Sequence, residues 1–388
     1  MSSLRRIFAV RENFALNYQI IDTDQQLAEV CQSALKHSAV ALDTEFVRTR
    51  TYYPQLGLIQ LFDGEAVTLI DPLTITDWSP FITLLSDQRV IKYLHAGGED
   101  LEVFLHRFSV LPSPMLDTQI LAAFLGYPMS LGFAAMVAEF TGVELDKSES
   151  RTDWLARPLT ERQCLYAAAD VEYLLPIARK LHQQATERQV LDKALSECEM
   201  LCERRQDILP AEHAWAEIGQ AWQLRPRQLA ALQKLAAWRL SYARRKDMAV
   251  NFVVKEENLW KVARYLPGSL GELQQLGLTG PEIRFHGQSM LQLVAEAQAE
   301  PEQQLPAAIK NLIDCPGYKT LFKDLKAFIK QTSEQTGFSQ ELLASRRQIN
   351  QVLSAHWQIK PRENRPELLK GWRGELMAEK ITAIIAAK

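Results

Sequence analysis

Cysteine is scarce in this chain. There are five, at positions Cys31, Cys164, Cys198, Cys202 and Cys315. The count is odd and no CxxC pair occurs, which speaks against a disulfide framework. Cys198 and Cys202 stand four apart on an expected helix and read as core packing. A zinc site would need two further ligands nearby, and none is evident. This usage fits a reducing, cytoplasmic setting. Long apolar runs are missing too. No stretch approaches the ~18 residues of a membrane span, so no membrane partner is expected. The N-terminal MSSLRRIFAVRENFAL has arginines and a short apolar patch but no signal h-region and no small-residue cleavage site. Residues 1–16 are expected to be a disordered or loosely docked extension, or an over-long gene start. A large excess of one charge is also lacking, since the net charge is −3. A nucleic-acid partner cannot be inferred from that balance. It would need local basic patches and bound metal to offset its phosphates. No obligate protein partner is evident.

Hydrophobic residues make up 47% of the chain and charged residues 23%, which is ordinary for folded protein. The 388 residues suggest two or three domains. Val40-Ala41-Leu42 reads as a short buried strand leading into Asp43. Leu56 to Phe62 is a second, and Asp63-Gly64 after it is a hairpin signal. Val67 to Ile70 is a third, stopped by Asp71-Pro72. Val90 to Leu94 is a fourth, with a helix expected from about Gly98. Asp117 reads as a helix N-cap. A meander followed by strands alternating with helices predicts an α/β domain with a mixed sheet and flanking helices. From about 211 helical periodicity takes over. The polar, proline-bearing segment 295–306 reads as a linker. The expected organisation is therefore an α/β domain over 17–208, then two small all-α domains over 211–295 and 302–388.

Three short motifs carry carboxylates. In Asp43-Thr44-Glu45, strand geometry projects Asp43 and Glu45 from one face. Two adjacent carboxylates need a cation or a shared proton. Hard oxygen ligands suit Mg²⁺ or Mn²⁺. Taken alone, the motif reads more readily as a polar strand end with solvated acids. In His95-Ala96-Gly97-Gly98-Glu99-Asp100, a strand runs through glycines into a helix whose first turn holds Asp100. Acids are common there because the helix dipole favours them. Glu99 competes with Asp100 for a metal role, and His95 reads better as a packed strand-end residue. In Tyr166-Ala-Ala-Ala-Asp170, a Thr160/Gln163 capping box starts the helix at Glu161. Tyr166 and Asp170 then share one face a turn apart. Together the motifs are far more specific than any one. Two metals ~3.5–4 Å apart can activate an attacking water and stabilise a leaving 3′ oxygen, and four acids supply the charge to hold them.

ALDTEFVRTRTYYPQLGLIQ, YLHAGGEDLEVF and LDKSESRTDWLARPLTERQCLYAAADVEYLLPIA closely resemble the three motifs of the DEDD exonuclease family, in its tyrosine-bearing branch. Their order, spacing and flanks look like the ribonuclease D family. WRLSYARRKDMAVNFVVKEENLWKVARYLPGSLGELQQLGL looks like an HRDC domain. The resemblance covers nearly the whole chain outside the first 16 or so residues. It implies an RNase H-like exonuclease fold with two HRDC-like domains. It also implies a 3′→5′ exoribonuclease that releases 5′-mononucleotides with two divalent metal ions, and a role in trimming tRNA precursors with 3′ extensions. Asp43 and Glu45 match the first motif, Asp100 the second, and Tyr166 and Asp170 the third, while Glu99 is not a ligand in the family pattern.

Residues 225–246 hold seven Lys/Arg and no acid, densest at Arg244-Arg245-Lys246. Such a stripe could track a phosphate backbone or be a solvated helix face. Trp238 falls at core spacing. Arg48, Arg50, Tyr52 and Tyr53 could meet a nucleotide, or the tyrosines could cover the sheet. A DNA 3′→5′ exonuclease of the same chemistry and a non-catalytic nucleic-acid adaptor are the competing readings. The complete acid set argues against the adaptor.

Overall fold

The structure is a computed structural model that describes residues 17–146, 148–359 and 365–387. The expected N-terminal extension, residues 1–16, lies outside these. The first half runs β1 (Tyr18–Ile21), α1 (Asp24–Ala34), β2 (Ala39–Val47), β3 (Gln55–Phe62), β4 (Val67–Ile70), α2 (Ser79–Ser86), β5 (Ile91–Leu94), α3 (Gly98–Phe108), β6 (Met115–Asp117), α4 (Thr118–Phe124), α5 (Phe133–Thr141), α6 (Glu161–Glu172) and α7 (Leu174–Glu187). The strands form one six-stranded sheet in the order β1-β4-β3-β2-β5-β6. β3 and β4 pair antiparallel, whereas β1/β4, β2/β5 and β5/β6 pair parallel. The sheet is therefore mixed, as the alternating pattern predicts.

The sequence explains why β2 sits in the middle. Its Ala39-Val40-Ala41-Leu42 run is buried residue by residue, as a strand covered on both faces requires. The link from β3 to β4 is a tight turn in which the Asp63 carboxylate accepts from the Glu65 and Ala66 amides, each at 2.9 Å. Gly64 takes φ +101°, a conformation that side chains resist.

Contacts divide the chain into two compact units. Among the described residues, the first comprises those from 17 to Val47, Leu56–Gln119 and Leu131–Gln184; the second comprises Arg48–Gln55, Ile120–Ser130 and those from Ala185 onward. The segment Arg48–Gln55 joins the helical unit through specific bonds. The Arg50 carbonyl accepts from the Ala249 amide at 2.8 Å, and the Tyr53 amide donates to Asp247 at 2.9 Å.

The second unit continues with α8 (Leu191–Gln206), α9 (Pro226–Lys246), α10 (Val250–Val253), α11 (Glu256–Tyr265), α12 (Leu270–Gln275), α13 (Gly280–Ala299), α14 (Tyr318–Thr336), α15 (Gln340–Leu343), α16 (Arg346–His356) and α17 (Gly371–Ala386). α9 is the spine of a core built from Leu229, Leu232, Leu235, Leu259, Met290 and Val294. α13 runs to Ala299, into the segment expected to be linker. Ala, Glu and Gln are good helix formers, so polarity alone does not stop a helix there. Among the described residues, no helix is long and apolar enough to cross a membrane.

Candidate active site

Strand β2 carries Asp43 and Glu45 two residues apart, hence on one face. Helix α6 brings Asp170 to them. Its start is fixed by a capping box in which the Thr160 hydroxyl accepts from the Gln163 amide and the Gln163 side chain reaches back to the Thr160 amide. Asp43, Glu45 and Asp170 each offer an oxygen within 4.8 Å of the others. Asp100 lies in the first turn of α3 and is buried. Its Oδ1 accepts from the Thr44 amide at 3.1 Å and from the Thr44 hydroxyl. Its charge still acts on Asp43, Glu45 and Asp170. The four expected acids are thus gathered in one place. Glu99, beside Asp100 in the chain, is exposed.

Electrostatics make this grouping costly as it stands. Burial and then the charges of Asp100, Asp170 and Glu45 hold the Asp43 carboxyl well above the ordinary range. Burial and the neighbouring aspartates push Glu45 up to about 9. Burial and Asp100 push Asp170 up to about 7. Asp100 rises only to about 6, because its bonds from Thr44 counter burial. Four such carboxylates cannot all ionise without a compensating cation. The donors are all hard oxygens, and Asp43, Glu45 and Asp170 form the one such group of three or more among the described residues. The set therefore fits hard divalent ions.

Tyr166 lies one turn before Asp170 and is hydrogen-bonded to its carboxylate. Burial, followed by the charges of Asp170, Glu45 and Asp43, raises its hydroxyl, which stays protonated at neutral pH. The Tyr166 ring lies 6.1 Å from that of Trp154. A cavity of about 220 Å³, lined by Leu145, Arg162, Leu165 and Ala169 among others, borders both Tyr166 and Asp170.

Residues that carry no chemistry hold this geometry. Trp154 is buried against Gly57, where a Cβ would stand 2.6 Å from the Trp154 carbonyl oxygen. Arg157 forks onto Asp71, with Nε at 2.5 Å and Nη2 at 2.8 Å, and also donates to the carbonyls of Gly57 at 2.7 Å and Trp154 at 2.9 Å. The segment that feeds α6 is thereby tied to the sheet. Asp117 accepts from the Ala96, Gly97 and Gln119 amides at 3.0, 2.9 and 2.8 Å. It caps α4, as the sequence predicts, and also pins the turn that delivers Asp100, where Ala96 has φ 52°. His95 is a packed strand-end residue. The Thr118 hydroxyl donates to the Leu94 carbonyl, so His95 Nδ1 donates to Thr118 at 2.9 Å, and the ring packs on Phe133. Thr44–Asp100, the bonds of Asp117 to Ala96 and Gly97, and the Arg157–Asp71 pair carry no short-range signal, since these partners are remote in sequence.

Within the helical unit, the basic stripe divides. Arg239 is buried and donates to the Val254 carbonyl at 3.1 Å. Arg227 donates to the carbonyls of Ala297, Gln298 and Glu300, and Lys234 pairs with Glu300 at 2.8 Å. Arg244 bonds to the Tyr52 hydroxyl at 3.1 Å and the Leu209 carbonyl at 2.8 Å. Arg245 and Lys246 are exposed. Trp238 packs on the core as expected.

Residues 18–186 match the 3′-5′ exonuclease family. Residues 228–294 match the HRDC domain, and residues 316–381 match the C-terminal HRDC domain of ribonuclease D. The fold and the acid cluster thus belong to a 3′→5′ exonuclease of the kind that uses divalent metals. Ribonuclease D of Serratia proteamaculans is 63% identical over 370 residues, covering 95% of this chain and 99% of the relative. Ribonuclease D of Escherichia coli is 63% identical over 364 residues, covering 94% and 97%. The crystal structure of Escherichia coli RNase D, described as an exoribonuclease involved in structured RNA processing, superposes with a TM-score of 0.93 at 62% identity, covering 96% of this chain and 99% of that one. The chain belongs to the ribonuclease D family. It is a 3′→5′ exoribonuclease with RNA as its substrate class.

Proposed function

We infer that Asp43, Glu45, Asp100 and Asp170 hold two divalent cations, Mg²⁺ or Mn²⁺, and that the enzyme hydrolyses the last phosphodiester of an RNA 3′ end. The observation that carries this is the closeness of three half-buried carboxylates that repel one another. When bound, the cations supply Lewis-acid polarisation of the phosphate and offset the acids' charge. The Tyr166 hydroxyl donates to Asp170, which leaves its lone pairs to accept from the attacking water and orient it. The water oxygen bonds to phosphorus as the bond to the preceding 3′ oxygen breaks. That oxygen takes up a proton, the shortened RNA keeps a 3′ hydroxyl, and a 5′-mononucleotide leaves.

The proposed exonuclease domain spans 17–208 and the two HRDC-like domains span 211–295 and 302–388. The helical domains hold RNA, with exposed Arg245 and Lys246 meeting phosphates and Arg244 anchoring the Tyr52 segment beside them. The setting is the cytoplasm and the substrates are tRNA precursors with 3′ extensions. The Escherichia coli relative, an exoribonuclease involved in structured RNA processing, supports that substrate choice. A digestion time course on 3′-extended tRNA precursors tests it. Stepwise loss of the extension with release of 5′-mononucleotides is expected. Equal degradation of a DNA strand of the same sequence, or no shortening of the precursor, would overturn it.

A further inference from the structure

Helix α4 is anchored at both ends, and by different parts of the chain. At its start, Asp117 accepts from the Ala96 and Gly97 amides at 3.0 and 2.9 Å. Thr118 donates to the Leu94 carbonyl at 3.0 Å and accepts from His95 Nδ1 at 2.9 Å. These bonds grip Leu94 to Gly97, the turn out of which α3 carries Asp100. Ala96 stands in the left-handed region there, with φ 52°. A residue with a Cβ keeps that conformation only where its surroundings impose it, and the first residues of α4 do so.

At the other end, Phe124 is buried against two rings of the C-terminal helical domain. Trp372 lies 5.0 Å away and Phe338 5.5 Å, both edge-on, and these two meet at 5.9 Å. Edge-to-face rings hold a defined geometry. Trp372 is fixed in turn, since its Nε1 donates to Glu197 of α8 at 2.9 Å and the neighbouring Arg373 pairs with the same carboxylate. Gly371, at φ 49°, brings the start of α17 so near α8 that a Cβ would stand 2.8 Å from the Ser196 hydroxyl oxygen. Arg188 adds a bond to the Leu125 carbonyl at 3.0 Å, just past α4.

α4 has seven residues, about two turns. Over that length a hydrogen-bonded helix moves as one piece. We propose that Phe124, Phe338 and Trp372 are positioning residues for the exonuclease reaction. Through α4, the C-terminal helical domain fixes the turn that sets Asp100 beside the other acids. The domain then has a task in hydrolysis itself, separate from any hold on RNA. The proposal rests on Asp100 serving the metal site.

The test compares full-length variants, each checked for folding by a thermal melt. Phe124→Leu and Trp372→Leu keep apolar bulk and remove the ring contact. Hydrogen exchange of the Ala96 and Gly97 amides in metal-free protein reads the turn directly, and it should quicken ~10-fold as local opening becomes easier. Mn²⁺ affinity, by calorimetry, should fall ~10-fold, as for groups that orient metal ligands. On a trinucleotide RNA, kcat should fall by up to ~10²-fold, as for a small misplacement at the reacting centre, with KM little changed. The double variant should lose less than the product of the single losses, because both substitutions break one contact. Trp372→Phe keeps a ring against Phe124 and should restore most of each reading, and with Phe124→Leu it decides the case even if Trp372→Leu does not fold. Leu325→Ala opens a hole in the core of the same domain, about three turns before the end of α14. It should lower the melting temperature and leave exchange, Mn²⁺ affinity and kcat at wild-type level. Equal changes in Leu325→Ala would mean general destabilisation and would overturn the proposal. So would wild-type exchange and kcat in Phe124→Leu, or a rise in KM alone, which would assign the rings to RNA binding. Failure of the metal reading shows up separately, as wild-type protein that binds no Mn²⁺.

Discussion

Thr44 stands between Asp43 and Glu45 in the chain, and both its amide and its hydroxyl donate to Asp100, 56 residues away. One residue thus joins the first acidic motif to the second. It also explains why Asp100 is the least perturbed of the four acids. Removing the hydroxyl by Thr44→Val keeps the shape and the amide bond. Partners of this kind are typically worth ~10–100-fold in metal affinity or activity. We expect metal affinity, read by calorimetry, to fall within that range with little change in melting temperature. Unchanged affinity and rate would reduce Thr44 to a packing residue.

Tyr166→Phe removes only the hydroxyl bonded to Asp170. Metal and RNA binding should persist, because the ring and its packing on Trp154 remain. Positioned proton-handling groups are worth ~10²–10⁴-fold. Single-turnover cleavage should slow by an amount in or below that range. A normal rate would show that water orientation does not depend on Tyr166, and lost metal affinity would make its role support of Asp170.

The acid cluster also governs stability in metal-free protein. Folding raises these carboxyls above their ordinary values of 3.8 and 4.5, with Glu45 reaching about 9. Between those limits the folded state binds more protons than the unfolded chain. Stability in EDTA should therefore fall as pH rises from about 4.5 towards 9. Mg²⁺ should raise the melting temperature more at pH 8 than at pH 6. Asp43→Asn should melt higher than wild type in EDTA at pH 8, since it removes one repelling charge. A Mg²⁺ effect independent of pH would contradict this picture.

The tie between α6 and the sheet predicts coupled losses. Burial alone would raise the Asp71 carboxyl, but the Arg157 fork and the Leu73 amide outweigh it and hold it below its ordinary value. The pair is partly buried, so Arg157→Ala should cost ~1–3 kcal/mol, less than the ~3–5 kcal/mol of a fully buried pair. Gly57→Ala would force a methyl against the Trp154 carbonyl, at a cost of ~1–3 kcal/mol. Urea unfolding measures both. Each should also lower kcat, since Tyr166 and Asp170 follow the displaced segment. Full activity with reduced stability would show that the tie does not position α6.

What the sequence revealed depended on the range of the signal. β2 to β5, the Thr160 capping box and the Tyr166–Asp170 pair are written in neighbouring residues, through apolar runs and fixed spacings. β1 has exposed Gln19 and Ile20 at its centre instead of a buried apolar run, and β6 is only three residues long; pairing with β4 and β5 makes them strands. The ties Thr44–Asp100, Arg157–Asp71 and Asp117–Gly97 link distant residues, and no local pattern marks them. The basic stripe is a different case. Arg239 falls four residues after Leu235 and four before Ala243, both buried. The apolar spacing therefore held the signal that this arginine faces inward, while charge counting alone obscured it.

The central claim is that these carboxylates carry the hydrolysis. Asp43→Asn and Asp170→Asn keep side-chain shape and remove one negative ligand each. The decisive measurement is single-turnover release of 5′-mononucleotide from a 3′-labelled RNA at saturating Mg²⁺, with wild type in EDTA as control. We expect release from wild type with Mg²⁺, and none from either variant or from wild type under chelation. Wild-type-like release by Asp43→Asn, or release that survives exhaustive chelation, would contradict the account.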